Sequence, residues 1–234
     1  MKTVMNWLAA LVLVMIPWSA EAALLGPSAY NTAADSPFSP FAGFAFFHLE
    51  TFDDHLLNTP GVTASTGNTA ANVGFNGAII DQVGSPGGCP GGGLAVACDT
   101  WFSSAGASGV SFTFNAAVLG ALPNAAGLVW TDGAGTITFE AFDENGLSLG
   151  VLNGAHADGS FLGTTDEDRF YGITSATGIS RIFISNSSGG IEIDHLQYGL
   201  RGTQPPAVPE PATLTLLGSG LTLLAATALR HRRS

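Results

Sequence analysis

Apolar and polar residues alternate in different ways along the three stretches of this 234-residue chain. Residues 8–16 and 212–229 are apolar runs without charge. Between them the pattern is short and two-fold: Val110, Phe112 and Phe114 alternate with Ser111, Thr113 and Asn115, the signature of a strand with one buried face. Similar runs predict strands over residues 44–52, 78–83, 126–131, 135–142, 147–152, 169–174, 178–185 and 190–198. The dipeptides Asp132-Gly133, Asn145-Gly146 and Asp158-Gly159 supply the positive backbone angles that tight hairpins need. No segment between the termini keeps an apolar period of 3.6 over three turns. The pattern predicts an all-β fold, an antiparallel β-sandwich of jelly-roll type closed by its last strand. The domain spans residues 41–203. Residues 23–40, small and turn-rich with Pro27, Pro37 and Pro40, read as a flexible lead-in, and residues 204–211, with four prolines in eight, as an extended spacer.

The two apolar runs differ in their flanks. Lys2, the 8–16 run, Pro17 and the small-x-small sequence Ala20-Glu21-Ala22 make residues 1–22 a signal peptide, cut after Ala22 by signal peptidase. The 212–229 run is eighteen residues long, about 27 Å as a helix, close to the thickness of a bilayer core. It is followed by Arg230, His231, Arg232 and Arg233 in a tail of residues 230–234, which fixes that end in the cytoplasm. Residues 23–207 are therefore expected beyond the inner membrane, held by a single transmembrane helix.

Immediately before that helix stand Pro209, Glu210 and Pro211. A Pro-Glu-Pro motif, one membrane helix and a terminal arginine cluster, in that order, resemble the PEP-CTERM sorting signal of Gram-negative bacteria. The resemblance covers about residues 208–234. It implies that the chain is a substrate of an exosortase, a membrane-embedded cysteine protease-transpeptidase that removes the tail and passes the protein to the cell envelope or an extracellular matrix. Pro209, Glu210 and Pro211 would be the recognised residues, with Arg230, Arg232 and Arg233 as the basic end of the signal.

Composition narrows what the exported part can do. It holds sixteen Asp or Glu against Arg169, Arg181 and Arg201, and no lysine. So acidic a surface repels phosphate, which excludes nucleic acid as a partner and argues against docking on anionic lipid. Cys89 and Cys98 lie nine apart in a Gly-Pro loop, and in an oxidising compartment they are expected to form a disulfide. The histidines show no metal-binding spacing, and no nucleophile elbow is present. Asp166, Glu167 and Asp168 beside Arg169 read as a solvated hairpin tip, and Asp143 to Gly146 as a turn.

One grouping of carboxylates stands out. Glu50, Asp53 and Asp54 end the first strand, while Glu192 and Asp194 flank Ile193 in the last. Pairing of those strands would bring the acids together, and calcium is the expected cofactor, with Glu50, Asp53 and Asp194 as its ligands. Two functions fit the exported domain. One is a non-catalytic envelope or matrix protein that binds a carbohydrate, such as an exopolysaccharide, or another surface component. The other is a carbohydrate-active hydrolase built on a carboxylate pair in a groove, one carboxyl with a raised pKa. With no catalytic constellation visible, the sequence favours the non-enzymatic reading.

Overall fold

The computed structural model describes residues 22–54, 56–70, 100–157, 159 and 167–202. The signal peptide, the strand expected at 78–83, both cysteines, the spacer, the Pro-Glu-Pro motif and the membrane helix lie outside these residues. The described strands are β1 (Ala23–Ala29), β2 (Phe44–Glu50), β3 (Val62–Ala64), β4 (Asn68–Ala70), β5 (Thr100–Ser103), β6 (Val110–Phe114), β7 (Ala125–Phe142), β8 (Ser148–Gly154), β9 (Arg169–Thr174) and β10 (Arg181–Arg201). Hydrogen bonding joins them in a single antiparallel sheet, which bears out the all-β antiparallel expectation at that level and not the finer jelly-roll topology.

Two long strands carry the sheet. β7 and β10 run antiparallel from the pair Arg181 and Phe142 to the pair Gly199 and Ala125. The outer edge of β10 is taken in turn by β6 at residues 181–184, β5 at 191–193 and β2 at 196–201. The outer edge of β7 is shared by β9 at residues 125–130 and β8 at 137–142. β1 then covers β9, β3 covers β6 and β4 covers β5.

The sequence pattern breaks each long strand in two at a turn signal, and the structure carries the strand through. At Asp132-Gly133 the chain takes a bulge: Glu192 faces Asp132 while Ile193 faces Trp130, so Thr131 is an extra residue. Gly133 has φ 149°, and a Cβ there would lie 2.8 Å from the Gly190 carbonyl oxygen and from Trp130. The glycine serves close approach of two strands, not reversal. Asp143 to Gly146 is a true reversal, because Asp143 Oδ1 accepts the N–H of Asn145 and of Leu147, tying β7 to β8.

Where residues 125–133 run beside 191–199 both faces of the sheet are buried, while the other halves of β7 and β10 bury alternate residues. Trp130, Ile137, Phe139, Ile182, Ile184, Ile191 and Ile193 belong to the larger core, with Trp101, Phe112 and Phe114 from β5 and β6. The smaller core contains Ala125, Val129 and Phe170 together with Tyr30 and Phe38. Residues 23–40 are thus part of the domain and not a flexible lead-in. β1 pairs with β9, and beyond it Tyr30 and Phe38 are fully buried, with the Phe38 ring edge-on to Phe170 at 5.4 Å. Their proline and small neighbours hide this from the sequence pattern, since the burying aromatics recur at no regular period. Replacing Phe38 with Ala should cost about 3–5 kcal/mol in urea denaturation of the exported protein, as a core aromatic does; a loss below about 0.5 kcal/mol would restore the lead-in.

Candidate functional site

The acids at the end of β2 are used within their own loop. Glu50 accepts the backbone N–H of Phe52 through one oxygen and those of Asn58 and Thr59 through the other, each at 3.1 Å. Asp53 accepts the Thr51 hydroxyl at 2.8 Å, and Asp54 the N–H of Leu56 at 3.0 Å. This cap lets Phe52 turn into the core with φ 58°. β2 does pair with β10 as expected, and Glu50 faces Leu196, two residues beyond Asp194. Asp194 accepts the N–H of His195 at 2.6 Å, at a bulge where His195 has φ 43°. Among the described residues no three His, Cys, Asp or Glu are grouped to hold a metal ion, and the register places Glu50 and Asp194 on neighbouring strands.

His195 belongs to a buried polar chain instead. The Tyr30 hydroxyl and His195 Nδ1 are 2.7 Å apart, Gln197 Nε2 donates to the Tyr30 hydroxyl at 3.0 Å, and the Ser36 hydroxyl donates to Gln197 Oε1 at 2.6 Å. It joins the residues before β2 to the last strand. His156, half-buried, shares a 2.6 Å hydrogen bond with the Tyr171 hydroxyl and meets the Trp130 ring edge-on. Burial, with the nearby Arg169 charge adding to it, lowers the His156 pKa to about 4.

A second acidic grouping is one the sequence did not reveal. Glu192 on β10 and Asp132 on β7 are register partners, and Asp168 enters β9 next to Arg169, the partner of Trp130. The three, with Glu167, form a row across three adjacent strands, with exposures of 5 % for Glu192, 4 % for Asp132, 1 % for Glu167 and 0 % for Asp168. Glu167 and Asp168 are therefore buried, not a solvated hairpin tip. Thr131, the bulged residue, donates its hydroxyl to Glu192 at 3.3 Å. Arg169 donates to the backbone carbonyl of Asp168 at 2.8 Å, and neither carboxylate oxygen of Asp168 has a hydrogen-bond partner. Burial, and the charges of Glu167, Glu192 and Asp132, push the Asp168 pKa up to about 8, with Arg169 acting against them. A buried carboxyl without donors keeps its proton. The alternation of Glu192 with Ile191 and Ile193 does show that it points to the other face. That this face is covered depends on the segment before β2, which sequence reasoning placed outside the domain.

Open to solvent, by contrast, is a cleft of about 480 Å³ beside β6, lined by Thr63, Thr113, Asn115, Glu144, Ser180 and the rim of Phe114, among others. Asn115 caps the one-turn helix α1 (Ala116–Leu119) by accepting the N–H of Ala117. Ser180 donates to the carbonyl of Asp143, holding the wall. The lining is mainly apolar, from Phe114, Ala116, Ala117 and Leu122, with three hydroxyls, the Asn115 amide and the Glu144 carboxylate among them; the acid row lies elsewhere.

Residues 207–233 match the family model described as the PEP-CTERM protein-sorting motif. The chain carries a PEP-CTERM sorting signal. It is accordingly an exported protein, anchored through its C-terminus until an exosortase processes it. No curated protein and no solved structure matches the chain. Among the described residues no helix is long and apolar enough to cross a membrane; the apolar run of the signal, residues 212–229, lies outside them.

The protonated state of Asp168 sets a pH dependence. Its folded pKa lies above the unfolded value of 3.8, so between about pH 4 and 8 the folded state holds a proton that the unfolded chain has released, and stability falls as pH rises. His156 acts with opposite sign between about 4 and 6.5, because there the unfolded chain binds the extra proton. Asp168→Asn mimics the protonated carboxyl. Its stability gain over the unchanged protein, read from urea midpoints, should be near zero at pH 4, grow by at most about 1.4 kcal/mol per unit, and level off above pH 8. A gain independent of pH would contradict the buried acid.

Proposed function

We propose that this protein is a non-catalytic envelope or matrix component, exported by its signal peptide, held by its tail, released by an exosortase, and bound by its β-domain to a neutral carbohydrate. The sorting signal is the observation that carries the reading. A tail-removing system delivers a folded domain, and what is delivered here is one sheet with both faces packed along its middle strands. The carboxyl with the raised pKa is fully buried and away from the open cleft, which favours a structural acid over a glycosidase acid. The cleft has the dimensions of a small-ligand site, and its apolar floor with a few hydroxyls, the Asn115 amide and the Glu144 carboxylate offers both the apolar contact and the donors and acceptors that suit a sugar ring.

Two experiments test the parts separately. Mass spectrometry of the protein from its native envelope should show residues 1–22 absent and the chain ending near Pro209 to Pro211, with Glu210→Ala leaving uncut protein in the inner membrane; a mature pool ending at Ser234 would contradict sorting. On a glycan array, the exported protein should bind a neutral glycan, and Thr113→Trp, which fills the cleft from an exposed position, should reduce that binding at least tenfold with an unchanged melting temperature. Binding that survives the filled cleft would move the ligand elsewhere.

A further inference from the structure

The strand registers place both membrane-connected ends of the domain at one end of the sheet. Ala23 faces Thr174, Thr174 faces Ala125, Ala125 faces Gly199, and Gly199 faces Phe47. These five residues form one row, and three strand spacings, about 14 Å, separate Ala23 from Gly199. β1 runs away from this row, so the chain preceding Ala23 leaves there. β10 runs toward it and ends two residues later at Arg201, where the Gly202 N–H donates to the Gly43 carbonyl at 2.9 Å. No spacer separates β1 from residue 22, and only residues 203–208 separate the described domain from Pro209, about 20 Å if extended.

The same end differs from the rest of the domain in charge. Residues 23–34, 36–49, 100–131 and 170–180 contain no Asp, Glu, Lys or Arg. Arg201 is exposed at this end, its guanidinium 4.9 Å from the centre of the Phe44 ring. Phe41 stacks on Phe47 with centroids 4.4 Å apart, and both are partly exposed, beside exposed Ala42, Gly43 and Ala45. The nearest carboxylates are Glu50 and the exposed Asp35, each accepting backbone N–H groups of its own loop. In a domain with sixteen acids and three arginines, this is the end that an anionic surface does not repel.

We propose that this end is a docking surface for the phospholipid headgroups of the membrane in which the tail is held. Phe41 and Phe44 reach the interfacial level that aromatic side chains favour, and Arg201 meets lipid phosphate. The contact is small, so it holds only while the tail keeps the domain at a high local concentration, and tail removal releases the domain from the surface. The inference rests on the tethered state of the proposed function.

The test uses the full chain in vesicles of phosphatidylethanolamine and phosphatidylglycerol at about 3:1, carrying lipids with a headgroup-level quencher. Tryptophan is introduced by Phe41→Trp, or by Val151→Trp on β8 at the opposite end of β7, and the signal of the unchanged protein is subtracted. Quenching at position 41 should exceed that at 151 at least threefold, and Arg201→Glu or vesicles of phosphatidylcholine alone should cut it by half or more. Equal quenching at the two positions in protein that floats with the vesicles would overturn the docking surface alone. Protein that fails to float would overturn the tethered state and the docking surface with it.

Discussion

The antiparallel pairing of β7 with β10 is the constraint on which the remaining structure depends. Each strand is long enough to present its outer edge to more than one partner, so β6, β5 and β2 are positioned by β10, and β9 and β8 by β7. Long pairing of this kind accumulates twist, and the bulges at Asp132, Asn186 and Asp194 take up registers that a straight ladder could not hold. Because both faces are packed along residues 125–133 and 191–199, the bulges there also decide what is buried. The Thr131 bulge puts Glu192 against Asp132, and the His195 bulge turns its ring toward Tyr30.

Burial of four carboxyls in one row is costly unless protons or hydrogen bonds replace hydration. Thr131 supplies one such bond to Glu192, and Asp168 retains its proton. An acidic surface elsewhere on the domain repels anionic polymers, while the end that carries both chain exits holds few charges, Arg201 and the turn-bound Asp35. Charge is thus distributed along the sheet axis, and the polarity of the domain follows the polarity of its attachment.

Much of this was legible in the sequence. Val110 to Phe114 alternates as the strand it forms, Arg169 to Thr174 is a strand over the residues expected, and the pairing of first aromatic strand with last is as anticipated. The sorting signal was legible because its three parts are contiguous. What was not legible depends on contacts distant in sequence. Asp132-Gly133 has the composition of a hairpin turn, and only the continuous partner strand makes it a bulge. Tyr30 and Phe38 sit among prolines and small residues, so nothing local marks them as core. With that cover unseen, Glu167 and Asp168 looked solvated, and nothing local marks the backbone N–H groups of residues 52–59 as donors to Glu50.

The claim that one β7–β10 ladder organises the domain, with the segment before β2 as an integral part, is tested most directly by native-state hydrogen exchange of the exported protein. The account predicts that the amides of Val129, Ile184 and Ile193 exchange only through global unfolding, and that Tyr30, whose N–H donates to the Asp168 carbonyl, exchanges with a free energy within about 1 kcal/mol of theirs. Exchange of Val129 and Ile193 at widely different free energies, or unprotected exchange at Tyr30, would contradict it.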